Sequence, residues 1–429
     1  MNKLKKLFTE TKDVKKASYL WNTMSATIFA IQSAIILIVI TRTNGTADAG
    51  IFSIAYAVAS LMYYVGEYGV RKYQISDINE RLSFTAYHSH RVVACTIMTI
   101  ACIGYAGYGM LVLHYSLRKT YIIFMICALK IVEAYQEVYF GRLQQVGRLD
   151  IASKTNIFRT VASLVAAMIC LGVTHNMEIS MTVWVVVAVI CFLLSSVLVI
   201  GDYGKVHFKL EMKPIMKIYT DCLPLFLGCF FLLYVGNAPK YAIDACMSDV
   251  DQACYNFIFM PVFAIGLFAN FIFNPVLVQL AERWRDDDLK GFRKMVNKQM
   301  GVIGAVTLLA ITVALTIGCP VLGLLYNTDL SSYKIDLTIL MVGGGMLALV
   351  NFFTVVITVM RNQKYLMIGY VMGAVLAGIL AHPAVEHWGI RGATILYVIL
   401  MTIQATTFAV VYKLFLSKRI KFLKTKTTA

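Results

Sequence analysis

The sequence predicts an all-α polytopic membrane protein with about 12 transmembrane helices. Hydrophobic residues make up 59% of the 429 residues and charged residues only 14%, against about 25% charged residues in soluble domains. The apolar residues are gathered into runs of about 20, the length that crosses a bilayer as a helix. Because so apolar a chain would not stay folded in water, we expect an integral membrane protein.

The first predicted span follows a basic segment, residues 1–16, which we expect to lie against anionic lipid headgroups. This span is longer than a signal-peptide core and no small-residue cleavage site follows it, so we expect it to be retained. Eleven further apolar runs follow. The predicted spans are 17–40, 50–69, 92–113, 121–140, 151–172, 179–201, 218–235, 254–280, 300–325, 335–360, 365–380 and 390–415.

The distribution of lysine and arginine predicts the orientation. If the N-terminus is cytoplasmic, most of the 39 Lys and Arg residues fall in cytoplasmic segments, as the positive-inside rule requires. A missed span would invert this pattern, so we expect both termini in the cytoplasm. The net charge of +16 is then explained by topology, and we expect no nucleic-acid partner.

The seventh span begins about 200 residues after the first, and later spans keep a similar offset, which predicts two six-helix halves. Transporters built from such halves hold their substrate between them, near the middle of the bilayer. The predicted division is a basic cytoplasmic N-terminal segment 1–16, an N-terminal bundle 17–210, a C-terminal bundle 211–416 and a basic cytoplasmic tail 417–429.

Ionisable residues inside the spans are functional candidates because charge is costly in hydrocarbon. The fourth span carries Lys130, Glu133 and Glu137 on one helical face. A tight hairpin near Gly147 would bring Arg159 of the fifth span between the two glutamates. Three interpretations stay open: a structural ion-pair cluster, a proton or ion relay, and a contact with an anionic substrate during part of the transport cycle. Two acids and two bases would leave the cluster neutral, which favours the first.

Two further acidic residues lie near the predicted cytoplasmic face. Glu67 is one helical turn from Arg71, which fits either a surface ion pair or a cytoplasmic gate. Asp221 lies in the seventh span and joins Glu67 as a candidate for ion coupling.

The central stretch 218–282 is expected to form a polar cavity. Its apolar runs contain or adjoin four prolines, and proline in a span frees backbone carbonyls that a water-lined cavity can satisfy. Its only cation is Lys240, at the predicted end of the seventh span. Snorkelling to the interface and contact with a phosphate explain this lysine about equally well. The prolines are Pro224, Pro239, Pro261 and Pro275.

Sequence motifs for catalysis and metal binding are missing from the chain. The cysteines are scattered through apolar runs without C-x-x-C spacing, and the sequence has no Walker motif, dinucleotide fingerprint or catalytic triad. We therefore expect no catalytic residue, no metal and no cofactor. A glycan polymerase or ligase is disfavoured as well, because no outer loop is long enough to form a catalytic domain.

Several segments resemble the polysaccharide exporters of the multidrug/oligosaccharidyl-lipid/polysaccharide (MOP) flippase superfamily, the group of O-antigen and capsule repeat-unit flippases. The resemblance covers essentially the whole chain and depends on the order and spacing of its segments. They are AGIFSIAYA (49–57), EYGVRKYQISD (67–77), EAYQEVYFGRLQQVGRLDIASK (133–154), NAPKYAID (237–244), YNFIFMP (255–261) and FNPVL (273–277).

The resemblance implies two six-helix bundles that form a V-shaped cleft, as in the related MATE transporters. The implied substrate is an oligosaccharide on undecaprenyl pyrophosphate, moved from the inner to the outer leaflet of the cell membrane. The candidate headgroup contacts are Lys240, Arg42 and Arg71. The candidate sugar contacts are Asn22, Gln32, Tyr63, Asn237, Asn270 and Asn274.

The implied transport needs no ATP, and the membrane potential, H+ or Na+ are candidate driving forces. Membrane lipids and a glycan polymerase are candidate partners. The alternative is a MATE-like antiporter of cationic drugs, which usually needs acidic residues in its cleft. The first span has no acidic or basic residue, and this weighs against the alternative.

Overall fold

The chain is helical throughout the part that its computed structural model describes, residues 2–77, 79–203, 209 and 211–428. The side chains of 2–4, 7, 200, 264, 266–275, 278, 424 and 426–428 lie outside that description. No β-strand occurs in the described part, which confirms the predicted all-α class. The helices are α1 (Asn2–Thr9), α2 (Val14–Asn44), α3 (Thr46–Glu67), α4 (Val70–Ser76), α5 (Phe84–Leu111), α6 (Leu117–Gln145), α7 (Leu149–Thr174), α8 (Met177–Leu198), α9 (Met212–Cys246), α10 (Asp249–Arg285), α11 (Leu289–Val313), α12 (Cys319–Tyr326), α13 (Lys334–Val359) and α14 (Leu366–Thr428).

These helices occupy all twelve predicted span positions. Within the described residues, nine helices are long and apolar enough to cross a bilayer, when α3 is counted with α4 and α11 with α12. One of them, α14, is 63 residues long and supplies two spans, while α6 and α10, with 29 and 37 residues, fill the two remaining positions. The protein is therefore a multi-pass membrane protein.

Polar caps begin the spans. The side chains of Ser83, Ser116, Asn176 and Ser248 each accept a backbone N–H at the start of α5, α6, α8 and α10. Such caps satisfy N–H groups that have no partner within the helix. This matters at a membrane edge, where an unsatisfied backbone group is costly.

The chain forms two compact units, Met1–Phe230 and Phe231–Ala429, so the division falls inside α9. In the first unit α2 packs against α7 and α3 against α6; in the second, α13 packs against α10 and α14. The predicted bundle limits at 210 and 211 stay a prediction, because compactness alone does not define where a bundle begins.

The basic N-terminal segment is attached to the first unit by specific contacts. Phe8 is buried in an apolar cluster with Phe140 and Ile151. Arg148 donates to the Thr9 carbonyl at 2.8 Å, and Lys154 donates to the Phe8 carbonyl at 3.3 Å. The end of α6, the turn at Arg148 and the start of α7 therefore hold α1, a contact that the segment's basic composition did not predict.

Gly389 makes the break that divides α14 into two spans. Its φ of 55° and ψ of −138° are not helical, and this region of backbone conformation is open to glycine at little cost and to other residues at about 1–3 kcal/mol. A side chain in this position would strain the turn even though the space beside it is sufficient, since a Cβ would only touch Met247 at 3.4 Å.

We expect Gly389→Ala to lower the free energy of unfolding by about 1–3 kcal/mol, measured as a lower Tm of the purified protein in detergent. The matched control is Gly378→Ala in the same helix, where a Cβ would make an ordinary contact of 3.5 Å with Tyr234. Equal Tm values for the two variants would show that the Gly389 backbone conformation is not required.

Candidate functional site

A buried ion cluster lies in the first unit between α2, α6 and α7. Lys130 Nζ is 2.7 Å from Glu133 Oε2, and Arg159 Nη1 is 3.5 Å from Glu133 Oε1. All three residues are at most 3% exposed. Gln32 of α2 also donates to Glu133, at 3.4 Å, so one carboxylate is held by groups from three helices.

Aromatic rings help to stabilise the charge of Lys130, one of the two cations that share Glu133. Lys130 Nζ lies 4.9 Å from the ring centre of Phe29 and 4.5 Å from that of Tyr56, and it donates to the Tyr56 hydroxyl at 3.1 Å. Two cations and one carboxylate leave a formal excess of positive charge. The negative faces of aromatic rings stabilise a desolvated ammonium group, which makes the arrangement tenable at this depth.

The second glutamate of the predicted cluster has a different partner. Glu137 pairs with Arg71 at 2.7 Å, and Arg71 also donates to Gln144 at 3.1 Å. The sequence spacing predicted that Arg71 would pair with Glu67. Glu67 instead accepts the Gly69 N–H at 2.8 Å. The hairpin does turn at Gly147, with φ of 76°, but Arg159 reaches Glu133 and does not lie between two acids.

Lys240 lies in the second unit and is buried inside α9. The prediction that the seventh span ends near residue 235 was too short, because α9 continues to Cys246, and Lys240 is only 4% exposed. Its Nζ lies 4.6 Å from the ring centre of Phe259 and 5.5 Å from that of Phe263, both on α10. In the part of the chain that the structure describes, no carboxylate pairs with this lysine.

The amide of Asn237 lies one turn before Lys240 and is 6% exposed. Its Nδ2 donates to the Leu233 carbonyl at 3.2 Å. Because positions three apart share a helix face, Asn237 and Lys240 lie together. Asn270 and Asn274 fall outside the described side chains.

The other predicted residues are spread over the first unit. Asn22 and Arg42 are exposed on α2, and Tyr63 is partly buried on α3. Gln32 belongs to the ion cluster already described. Asp221, near the start of α9, accepts a hydrogen bond from the Tyr73 hydroxyl at 2.7 Å.

The sequence analysis did not predict the burial of Arg91. Arg91 was counted as a cytoplasmic residue between spans, but it lies two turns inside α5 and is fully buried. It donates to the Gly66 carbonyl, while its Nε and Nη2 have no partner among the described residues. One sequence signal could have indicated this burial. Ser83 is a typical N-cap residue, and a helix that begins after it places Arg91 two turns inside the helix.

Comparison with known proteins identifies the family. A family model described as polysaccharide biosynthesis protein matches residues 16–281, which is more than half of the chain. The chain belongs to the polysaccharide biosynthesis protein family. This confirms the resemblance seen in the sequence. None of the curated protein sequences matches the chain.

Solved structures establish the fold of this family member. An inward-facing multidrug resistance MATE transporter of the MOP superfamily superposes with a TM-score of 0.67 at 12% identity, over 93% of this chain and 96% of that one. The lipid II flippase MurJ, inward closed, gives 0.68 at 12% identity over 92% and 87%. The Vibrio cholerae MATE transporter VcmN in its bent form gives 0.55 at 11% identity over 94% and 98%. The protein has the fold that these MATE transporters and MurJ share.

Glu133 is the residue on which the buried cluster depends. Replacing it with glutamine would leave Lys130 and Arg159 buried without a counter-charge, and breaking a buried pair in this way typically costs about 3–5 kcal/mol. We expect Glu133→Gln to lower the Tm of the purified protein strongly.

The matched control is Glu211→Gln, because Glu211 pairs with Lys209 at the surface, where both side chains are more than half exposed and such pairs contribute about 0–1 kcal/mol. If Glu133→Gln and Glu211→Gln unfold at the same temperature, the cluster does not stabilise the bundle.

Proposed function

We propose that this protein is a flippase that moves an oligosaccharide on undecaprenyl pyrophosphate from the inner to the outer leaflet of the cytoplasmic membrane by alternating access. It acts in the assembly of O-antigen, capsule or exopolysaccharide. Both termini face the cytoplasm in this proposal, in agreement with the positive-inside distribution of lysine and arginine. The protein carries its substrate without changing it chemically.

The observation that carries the proposal is the burial of Lys240 without a carboxylate partner among the described residues. Charge at such depth marks a substrate or ion pathway by default. Two aromatic rings lower the cost of the ammonium group but leave its hydrogen-bond donors available. A pyrophosphate supplies both the missing negative charge and the acceptors.

The sugar part of the substrate needs amides, hydroxyls and rings. Asn237 shares the face of Lys240, and Asn22 and Tyr63 are at least partly accessible on α2 and α3. These residues, with Asn270 and Asn274, are the proposed sugar contacts. Gln32 is already engaged with Glu133 and Tyr56, so we place it behind the surface that the sugar touches.

The membrane potential is the proposed driving force. Outward movement of a headgroup with two negative charges from a negative interior is favoured by about 4.6 kcal/mol at 100 mV, twice the value for one charge. Accompanying H+ or Na+ would change this figure. Glu67, Glu133, Glu137 and Asp221 are the carboxylates to test for coupling, although Glu133 and Glu137 are already paired with cations.

A MATE-like antiporter of cationic drugs is the less favoured alternative. It would need an acid free to bind the cation. Glu133, a buried carboxylate of the first unit, is held by two cations, and Lys240, buried in α9, is itself a cation. Both units therefore suit an anionic substrate better than a cationic one.

We expect cells that lack this protein to accumulate the undecaprenyl-linked repeat unit and to lose surface glycan. Complementation with Lys240→Ala should restore at least ten-fold less surface glycan than the wild type, since the loss of a charge-assisted hydrogen bond costs about 1.5–3 kcal/mol. Lys240→Arg should restore most of it, because arginine also binds phosphate.

Lys213→Ala is the matched control, since Lys213 is an exposed lysine on the same helix. Immunoblotting of the variants in membranes separates loss of transport from loss of protein. Unchanged surface glycan in the deletion strain, together with greater sensitivity to cationic dyes, would contradict the proposal and favour the drug antiporter.

A further inference from the structure

A polar cavity of about 490 Å3 opens in the first unit where α4 ends and α9 begins. Its volume lies in the range of small-molecule sites, about 300–1,000 Å3. Tyr73, Asn79, Arg81, Lys217 and Asp221 line it. It includes neither Lys240 nor any residue of the buried ion cluster, so it is a second place where a ligand can bind.

The wall of this cavity is fixed by internal hydrogen bonds. Asp77 accepts the backbone N–H groups of Arg81 and Leu82 and the hydroxyl of Tyr87, each at 3.0 Å. Burial opposes ionisation of Asp77, but these hydrogen bonds outweigh it and hold its pKa below the usual value. The Tyr73 hydroxyl donates to Asp221 Oδ2 at 2.7 Å. The acidic groups are therefore held in place before any ligand arrives.

Other polar groups of the cavity are available for binding. In the described part of the chain, the side chains of Asn79, Arg81 and Lys217 form no hydrogen bond or ion pair. Lys217 and Asp221 are one helical turn apart on α9, a spacing that permits an ion pair, yet they are not paired. Asp221 also keeps its Oδ1 oxygen unused among these residues, so donors and an acceptor face the same space.

The balance of charge decides the class of ligand. Arg81 and Lys217 are offset by Asp77 and Asp221, so the cavity favours neither a phosphate nor a cation. A hydroxyl group both donates and accepts hydrogen bonds, and it can use the carboxylate as well as the amide, guanidinium and ammonium donors. The Tyr73 side chain adds an aromatic ring, an apolar surface beside these polar groups.

We propose that this cavity binds an uncharged sugar residue through its hydroxyl groups. The inference deepens the proposed function and rests on it, because it gives the glycan a binding place separate from the pyrophosphate contact at Lys240. In the proposed orientation the cavity faces the cytoplasm. The glycan would be held there before the carrier lipid crosses the membrane.

The test is binding of a soluble oligosaccharide to the purified full-length protein. The probe is the oligosaccharide released by partial hydrolysis from the surface polysaccharide of the producing cell, with glucuronate and inorganic pyrophosphate as anionic probes. We expect binding that Asp221→Asn weakens about ten-fold, the effect of losing one hydrogen bond to a charged group. Lys213→Gln, an exposed lysine one turn before Lys217, should bind as the wild type does.

Three results would overturn the sugar site. They are no binding of the oligosaccharide, equal weakening by Lys213→Gln, and tighter binding of pyrophosphate or glucuronate that Asp221→Asn improves. The last result would mean an anion site. Lys240→Ala should retain oligosaccharide binding, so a failure of the proposed flippase at Lys240 is distinguishable from a failure of this cavity.

Discussion

Compensation of buried positive charge is the constraint on which this structure depends. In hydrocarbon a charge must be paired or placed against polarisable groups. The ion cluster of the first unit meets this requirement internally, because Glu133 binds Lys130 and Arg159 and the ring of Tyr56 faces Lys130. Three helices are tied together as a result, which makes the cluster a structural centre as well as a candidate for function.

The second unit leaves the requirement partly unmet. Lys240 is as buried as Lys130, but among the described residues it has aromatic neighbours and no carboxylate. A protein that only needed stability would gain from an apolar residue in this place. The contrast between the two lysines is therefore the strongest argument that Lys240 serves a ligand, and it could be drawn only once the partners of both were known.

The sequence was sufficient to predict the fold, because the number of spans and the fold class depend on composition and on the length of the apolar runs. All twelve predicted positions are helical.

The pairing of side chains between helices was harder to predict from the sequence. The sequence spacing predicted that Arg71 would pair with Glu67, whereas the packing of the helices places Arg71 against Glu137. The helices that contain Lys240 and Arg91 are also longer than the predicted spans. Helices continue beyond the apolar run that predicts them, and the extra turns carry polar residues that can be buried. The polar cavity at Asp221 joins segments far apart in sequence, so no local pattern could predict it.

The most direct measurement is transport by the purified protein in proteoliposomes that contain an undecaprenyl-pyrophosphate-linked oligosaccharide, without ATP. Lectin access to the glycan on the outer face reports its translocation, and a potassium gradient with valinomycin sets the potential. The account predicts translocation that a negative interior accelerates and that Lys240→Ala slows at least ten-fold, as expected from the loss of about 1.5–3 kcal/mol. A rate equal to that of protein-free vesicles, or one that Lys240→Ala leaves unchanged, would contradict it.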